Sequence, residues 1–265
     1  ASPGSHPVSP NSLAISPDGT TIVYVSRRPG SAGFSSNRLF IRSLGSLLPT
    51  ELPGTTAAVQ PFFSPDGRWI AFATADGTLK KAPIAGGNPI TVTTGVDGGT
   101  WAFGTWTDQG EIIVGSNLRG LQRVPAAGGS LQTLTTLDAA KGEQRHGIPS
   151  FVSGTRSVLF DVNDATRPSR IEAVSLDTGQ RQVVLENAKH PRYVSSGYLV
   201  FQRDDAVLVG AFDRDKLAVV GTAVPLPDEM RRDGANSGDV AQLAIASTGT
   251  LAFGAATDAR NAVVL

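Results

Sequence analysis

Pro61-Phe62-Phe63-Ser64-Pro65-Asp66-Gly67-Arg68-Trp69-Ile70-Ala71-Phe72-Ala73-Thr74 reads as a strand, a tight turn and a second strand. Proline presets φ for the turn, aspartate bonds its own backbone, and glycine takes the left-handed position that closes a hairpin. Gly67 is therefore expected at positive φ. Downstream, Ala75-Asp76-Gly77 turns into Thr78–Ile84, and Ala85-Gly86-Gly87-Asn88 turns into an outer strand Ile90–Thr94. Gln60–Phe63 is the innermost strand. Four short antiparallel strands joined by glycine-rich turns make one blade of a β-propeller.

The same grammar recurs along the chain. Leu13-Ala14-Ile15-Ser16-Pro17-Asp18-Gly19 is the second clear copy, with Gly19 also expected at positive φ, and weaker copies end at Gly110, Gly154, Gly197 and Gly249. Successive turn glycines lie 48, 43, 44, 43 and 52 residues apart, a spacing that marks repeated blades. The expectation is an all-β, six-bladed β-propeller of four-stranded antiparallel blades. The blades fall at about 12–55, 56–95, 96–137, 138–186, 187–230 and 231–265. Residues 1–11 are a linker or strand. The last blade is incomplete, ending in Asn261–Leu265 with its fourth strand missing, so its open edge would recruit the N-terminus or a neighbouring chain. That abrupt end reads as a piece of a longer protein. A β-sandwich is the rival, but equal repeats from end to end do not fit it.

Composition agrees with this reading. The 265 residues are 40% hydrophobic, with 30 glycines and 17 prolines for tight turns. Lysine and arginine total 23, as do aspartate and glutamate, so no overall basic excess points to nucleic acid or an anionic membrane. Cysteine is absent, which removes disulfides and thiol ligands. No apolar run approaches the roughly 20 residues of a membrane-spanning helix.

The Ser-Pro-Asp-Gly turns after an apolar triplet resemble the TolB-like, WD-related propeller repeats of bacteria. Leu121-Gln122-Arg123-Val124-Pro125-Ala126-Ala127-Gly128-Gly129 is similar to the segment joining third and fourth strands in those repeats. Gly142–Phe151 (GEQRHGIPSF) and His190–Phe201 (HPRYVSSGYLVF) resemble two successive later blades of propellers that follow a bacterial transmembrane serine/threonine kinase. The resemblance covers the whole chain and implies a sensory or protein-interaction domain, extracytoplasmic or periplasmic, belonging to a larger receptor-like protein. Kinase motifs are absent from the chain itself.

Aligning the repeats on the turn glycine picks out the residues that open the inner strands: Ser12, Gln60, Phe103, Ile148 (with His146 just before), His190 and Gln242. In a closed propeller these gather at the mouth of the central channel. Nearby loops add Arg27, Asn37, Trp101, Asn117, Arg145, Asp164, Arg167, Asp204 and Asp239, among others. The candidate ligand-binding set is Gln60, Trp101, Arg145, His146, His190, Asp239 and Gln242, because concave sites with a few convergent polar groups are the default binding hypothesis. Both histidines are expected to titrate near neutral pH. Polar channel residues also commonly hold only water, and Trp101 reads more readily as a packing residue than as a ligand platform. His146 and His190 with Asp239 or Glu143 would suit a metal ion, but no short-range spacing supports it, and no metal or cofactor is assigned.

No G-x-S-x-G elbow, H-E-x-x-H, phosphate loop or cysteine nucleophile is present. Two readings remain: a binding or scaffold propeller that engages a protein or small molecule at the channel face, and a hydrolase (esterase, lactonase or peptidase-associated) acting through the channel. The missing motifs favour the first.

Overall fold

A computed structural model describes residues 13–27, 33–97, 103–226 and 243–253. The fold is an all-β propeller. Among the described residues, five sheets have four antiparallel strands each, in sequence order. The first holds β1 (Leu13–Ile15), β2 (Thr21–Arg27), β3 (Asn37–Ser43) and β4 (Thr50–Glu51). The second holds β5 (Ala58–Phe63), β6 (Trp69–Thr74), β7 (Thr78–Pro83) and β8 (Ile90–Thr94). The third holds β9 (Gly104–Trp106), β10 (Glu111–Val114), β11 (Gln122–Pro125) and β12 (Gln132–Thr133). The fourth holds β13 (Glu143–Val152), β14 (Ser157–Asp164), β15 (Arg170–Ser175) and β16 (Arg181–Leu185). The fifth holds β17 (Lys189–Val194), β18 (Tyr198–Arg203), β19 (Ala206–Asp213) and β20 (Ala218–Pro225).

This corrects the count of six blades. In the sixth repeat the described residues form only a two-stranded hairpin, β21 (Leu243–Ile245) with β22 (Leu251–Phe253). The physical reason is that the turn glycines count hairpins, whereas a blade needs four paired strands. The sixth repeat keeps its turn glycine, Gly249 at φ 90°, on two paired strands. The proposed strand at Asn261–Leu265, its edge pairing and residues 1–11 lie outside the described residues.

The chain divides into two compact units, one of residues 1–102, 127–130 and 229–265, the other of residues 103–126 and 131–228. In the first, Val23, Val25, Leu39, Ile70 and Phe72 form one buried cluster, and Ile15, Ile22, Ala244, Ala246 and Ala252 tie the hairpin to the first blade. In the second, Leu159, Ile171, Leu199 and Phe201 join the fourth and fifth blades, while Ile113, Leu121, Val158 and Phe160 join the third and fourth. Burying each such side chain contributes about 1.5–3 kcal/mol.

The turns form as their sequences dictate. Ser64 Oγ donates to Asp66 Oδ1 at 2.6 Å and accepts from Trp69 N–H at 3.0 Å, and Gly67 N–H reaches Ser64 O at 2.9 Å. Gly67 sits at φ 68° and Gly19 at φ 76°. The Ser64 hydroxyl, ahead of the Arg68 contacts, holds Asp66 at a pKa of about 2 against a smaller opposing effect of burial.

Three inner strands share a further feature. In β5, β13 and β17 the register slips by one residue, between Val59 and Phe62, Gly147 and Ser150, and Lys189 and Arg192. Each slip sets an X-Pro pair, Gln60-Pro61, Ile148-Pro149 or His190-Pro191, against one residue of the second strand. That residue is Phe72, Phe160 or Phe201, among the largest fully buried side chains of the protein. The residue before each proline is left-handed: Gln60 at φ 53°, Ile148 at 41° and His190 at 58°. Proline cannot donate to the ladder, so it belongs at a bulge, and the bulge re-aims its neighbour.

Candidate functional site

Arg145, His146 and His190 belong to the second unit, at the bulged ends of β13 and β17; Gln60 belongs to the first, at the matching point of β5. Trp101, Asp239 and Gln242 lie outside the described residues, as does Ser12. Gln60 is buried. Two loop pairs named from the sequence do meet: Arg27 Nε donates to Asn37 Oδ1 at 3.0 Å, and Arg145 to Asn117 Oδ1 at 3.1 Å.

His146 is fully buried, so it presents no surface to a ligand. Thr135 Oγ1 accepts from Leu121 N–H at 2.8 Å and lies 2.7 Å from His146 Nδ1, while the ionised Glu143 carboxylate at the other ring nitrogen can only accept, so Thr135 is the donor to Nδ1. Nε2 therefore carries the ring proton and donates it to Glu143 Oε2 at 3.1 Å. Glu143 also accepts from Asp138 N–H at 2.8 Å, from Arg181 at 2.6 and 3.2 Å, and from Arg170. Glu172 completes the lattice, accepting from Arg170 Nε and Arg181 Nε at 2.7 Å each. Burial opposes the Glu143 charge, yet the Arg181 hydrogen bond, the Asp138 amide, the Arg181 charge and His146 outweigh it and hold its pKa at about 2. Burial first, then the Arg181 charge, lowers His146 to about 4, with Glu143 pulling the other way. Two carboxylates face two guanidiniums here, a neutral lattice that positions β13, β15 and β16 (Arg181 also reaches Thr136 O at 3.1 Å).

His190 is a different kind of group. Gln202 Nε2 donates to Asp204 O at 3.3 Å, which turns its Oε1 toward His190 Nδ1 at 3.0 Å. The ring proton thus sits on Nδ1, and Nε2 presents a lone pair 3.6 Å from Asp161 Oδ2. His190 Nε2 and Asp161 Oδ1 are buried without a hydrogen-bond partner among the described residues. Burial raises the Asp161 pKa against the charges of Arg145 and Lys189. Burial and then Lys189 lower His190 to about 3, Arg192 and Arg145 adding to this and Gln202 resisting it. Burial likewise brings Arg192 down to about 10. Neither histidine titrates near neutrality, which overturns the expectation from their unperturbed chemistry.

Sequence reasoning missed Asp161, Gln202 and the Arg170–Glu172 pair. The signal for that pair was present: Arg170-Ile171-Glu172 puts opposite charges two apart on one face of an apolar strand. Among the described residues no group of three or more His, Cys, Asp or Glu side chains could hold a metal ion. Nor is any helix there long and apolar enough to cross a membrane.

No family model matches the chain, and no curated protein matches it. Solved structures do. A TolB-type protein from Agrobacterium tumefaciens superposes with a TM-score of 0.60 at 19% identity, over 81% of this chain and 79% of its own. TolB from Acinetobacter baumannii gives 0.61 at 17%, over 88% of this chain, which spans only 56% of that protein. An oligogalacturonate lyase in complex with manganese gives 0.58 at 10%, over 95% and 87%. The chain has the fold of the TolB-like β-propellers.

Proposed function

We propose that this chain is a non-catalytic binding propeller, the sensory or protein-interaction part of a larger bacterial receptor-like protein such as a membrane serine/threonine kinase, working outside the cytoplasm. The observation that carries the reading is the left-handed X-Pro bulge repeated in three inner strands. A non-glycine residue held there costs about 1–3 kcal/mol, and such strain collects at ligand clamps. At His190 the bulge sets a neutral, tautomer-fixed imidazole beside a buried carboxyl, within the field of Lys189, Arg192 and Arg145. That field favours a neutral or anionic group of a protein or small molecule as the partner. The resemblance of the 142–151 and 190–201 segments to kinase-associated blades supports the receptor context. A chain with no net charge gives nucleic acid no general handle.

The test is a ligand screen by thermal shift, followed by titration. His190→Ala should abolish binding of a confirmed ligand while leaving the melting temperature within a few degrees. A ligand whose affinity ignores His190→Ala refutes the inner-strand site. One observation favours the enzymatic reading: Asp161 Oδ2 stands 3.6 Å from His190 Nε2, an acid and a base side by side though beyond direct hydrogen-bond distance. Turnover of ester, lactone or peptide substrates that disappears in Asp161→Asn would establish it.

A further inference from the structure

Within the second unit, Pro168 and Ser169, the segment after β16 and the turn after β18 line an open pocket of about 560 Å3. That volume is in the range of ligand pockets, about 300–1,000 Å3. Its wall carries two cations, Lys189 and Arg203, and two carboxylates, Glu186 and Asp204, over Gln202 and Ala188. Of these only Asp204 was named from the sequence, as a loop residue near the channel mouth.

The wall is held before any ligand arrives. Arg203 Nε donates to Asn187 O at 3.2 Å and a terminal nitrogen to Glu186 O at 3.5 Å, while the guanidinium lies 5.5 Å from the Phe201 ring centre. Gln202 is buried, its amide clamped between His190 and Asp204 O. Ala188 N–H is fixed to Ser169 O at 2.9 Å. The rim turns at left-handed Asn187 (φ 53°) and Asp204 (φ 49°), the residue types that bear that conformation best. A preformed wall spares a ligand the cost of ordering it.

We propose that this cavity binds a small zwitterion, specifically an unblocked di- or tripeptide. The argument is one of charge matching. A purely anionic ligand would meet Glu186 and Asp204 as well as its cations, and a purely cationic one would meet Lys189 and Arg203; like charges brought together are penalised. A ligand with a carboxylate at one end and an ammonium at the other satisfies both pairs. The volume leaves room for two or three small residues, and Pro168 offers apolar surface for a short side chain. The site adjoins the inner-strand site proposed above: Gln202 hydrogen-bonds His190, and Lys189 lines the cavity while its charge acts on His190.

Calorimetric titration of the whole chain with trialanine, N-acetyl-trialanine and trialanine amide tests the assignment. Trialanine should bind, and either cap should weaken binding at least tenfold, because each removes one terminal charge. Glu186→Gln with Asp204→Asn replaces two exposed carboxylates by isosteric amides and should leave the fold intact, checked by circular dichroism. In that double variant N-acetyl-trialanine should bind as well as trialanine. Equal affinity of a capped peptide for the parent protein overturns the proposal. So does no binding of any of the three at millimolar concentration, or an unchanged preference in the double variant. Binding of trialanine that survives His190→Ala would leave the inner-strand reading to its own test.

Discussion

Replacing Glu143 by glutamine keeps the shape of the side chain and removes only its charge. The parent carboxylate receives hydrogen bonds from Arg170, Arg181, His146 and the Asp138 amide, and its side chain is almost wholly buried. Its pKa falls from 4.5 to about 2 on folding. At about 1.4 kcal/mol for each pH unit, the charge stabilises the fold by about 3 kcal/mol. Glutamine also turns an NH2 group toward donors it cannot satisfy, which puts the loss at the upper end of about 3–5 kcal/mol for breaking a buried pair. For a domain of this size that is a fall in melting temperature of roughly 10–20 °C. The pH dependence follows from the direction of the shift. A depressed carboxyl pKa gives stability that is complete above about 4.5 and lost as pH falls toward about 2. The lowered His146 pKa acts in the same sense between about 6.5 and 4, since the unfolded chain takes up the proton first. Glu143→Gln should therefore melt earlier at pH 7 and show a shallower stability slope below pH 4.5. Differential scanning calorimetry from pH 7 to pH 3 measures both. An unchanged melting temperature at pH 7, or an acid slope parallel to the parent's, would refute the account of the lattice.

Other outcomes follow from single features. Gly67→Val should cost about 1–3 kcal/mol through left-handed strain alone, because the added Cβ would meet only Pro17 Cδ at 3.5 Å; equilibrium denaturation measures it. Gly120→Ala should prevent stable folding of the third blade, since its Cβ would collide with the Thr135 carbonyl, and loss of soluble expression or of cooperative melting would report this. The ring-proton resonances of His146 and His190 should stay flat from pH 8 to pH 5, the signature of neutral rings with pKa values of about 4 and 3; a titration midpoint near 6.5 for either would contradict its burial. Thr135→Val should destabilise by about 1–3 kcal/mol, because the Leu121 amide and His146 Nδ1 both lose their partner.

The blade grammar was legible because it is local. Trp69–Thr74, Ile90–Thr94 and Tyr198–Arg203 form strands with the bounds their apolar runs and turn residues set. The number of completed blades was not legible from the glycine spacing. A turn repeats whether or not four strands pair around it, and the hairpin at Leu243–Phe253 keeps its turn glycine on two short strands. Gln60, Ile148 and His190, aligned from the sequence, do share one backbone geometry, since the following proline marks each bulge. The environment of the histidines was hidden for a different reason. His146 owes its neutrality to burial and then to the Arg181 charge, and His190 to burial and then to Lys189, surroundings set by how the strands pack and not by local sequence.

The X-Pro bulges carry an evolutionary consequence. An extra residue resets the alternation of a strand, so side chains on either side of it answer to different phases. Below Pro149 and Pro191, β13 and β17 place Val152 and Val194 in the buried interior. Above them, residues such as Arg145 and Lys189 follow a count of their own. With the buried phenylalanine holding the slip in place, one end of an inner strand can accept insertions, charges or new specificities while the other keeps its frame. Variation in related chains is then expected to be dense above the prolines and sparse below them.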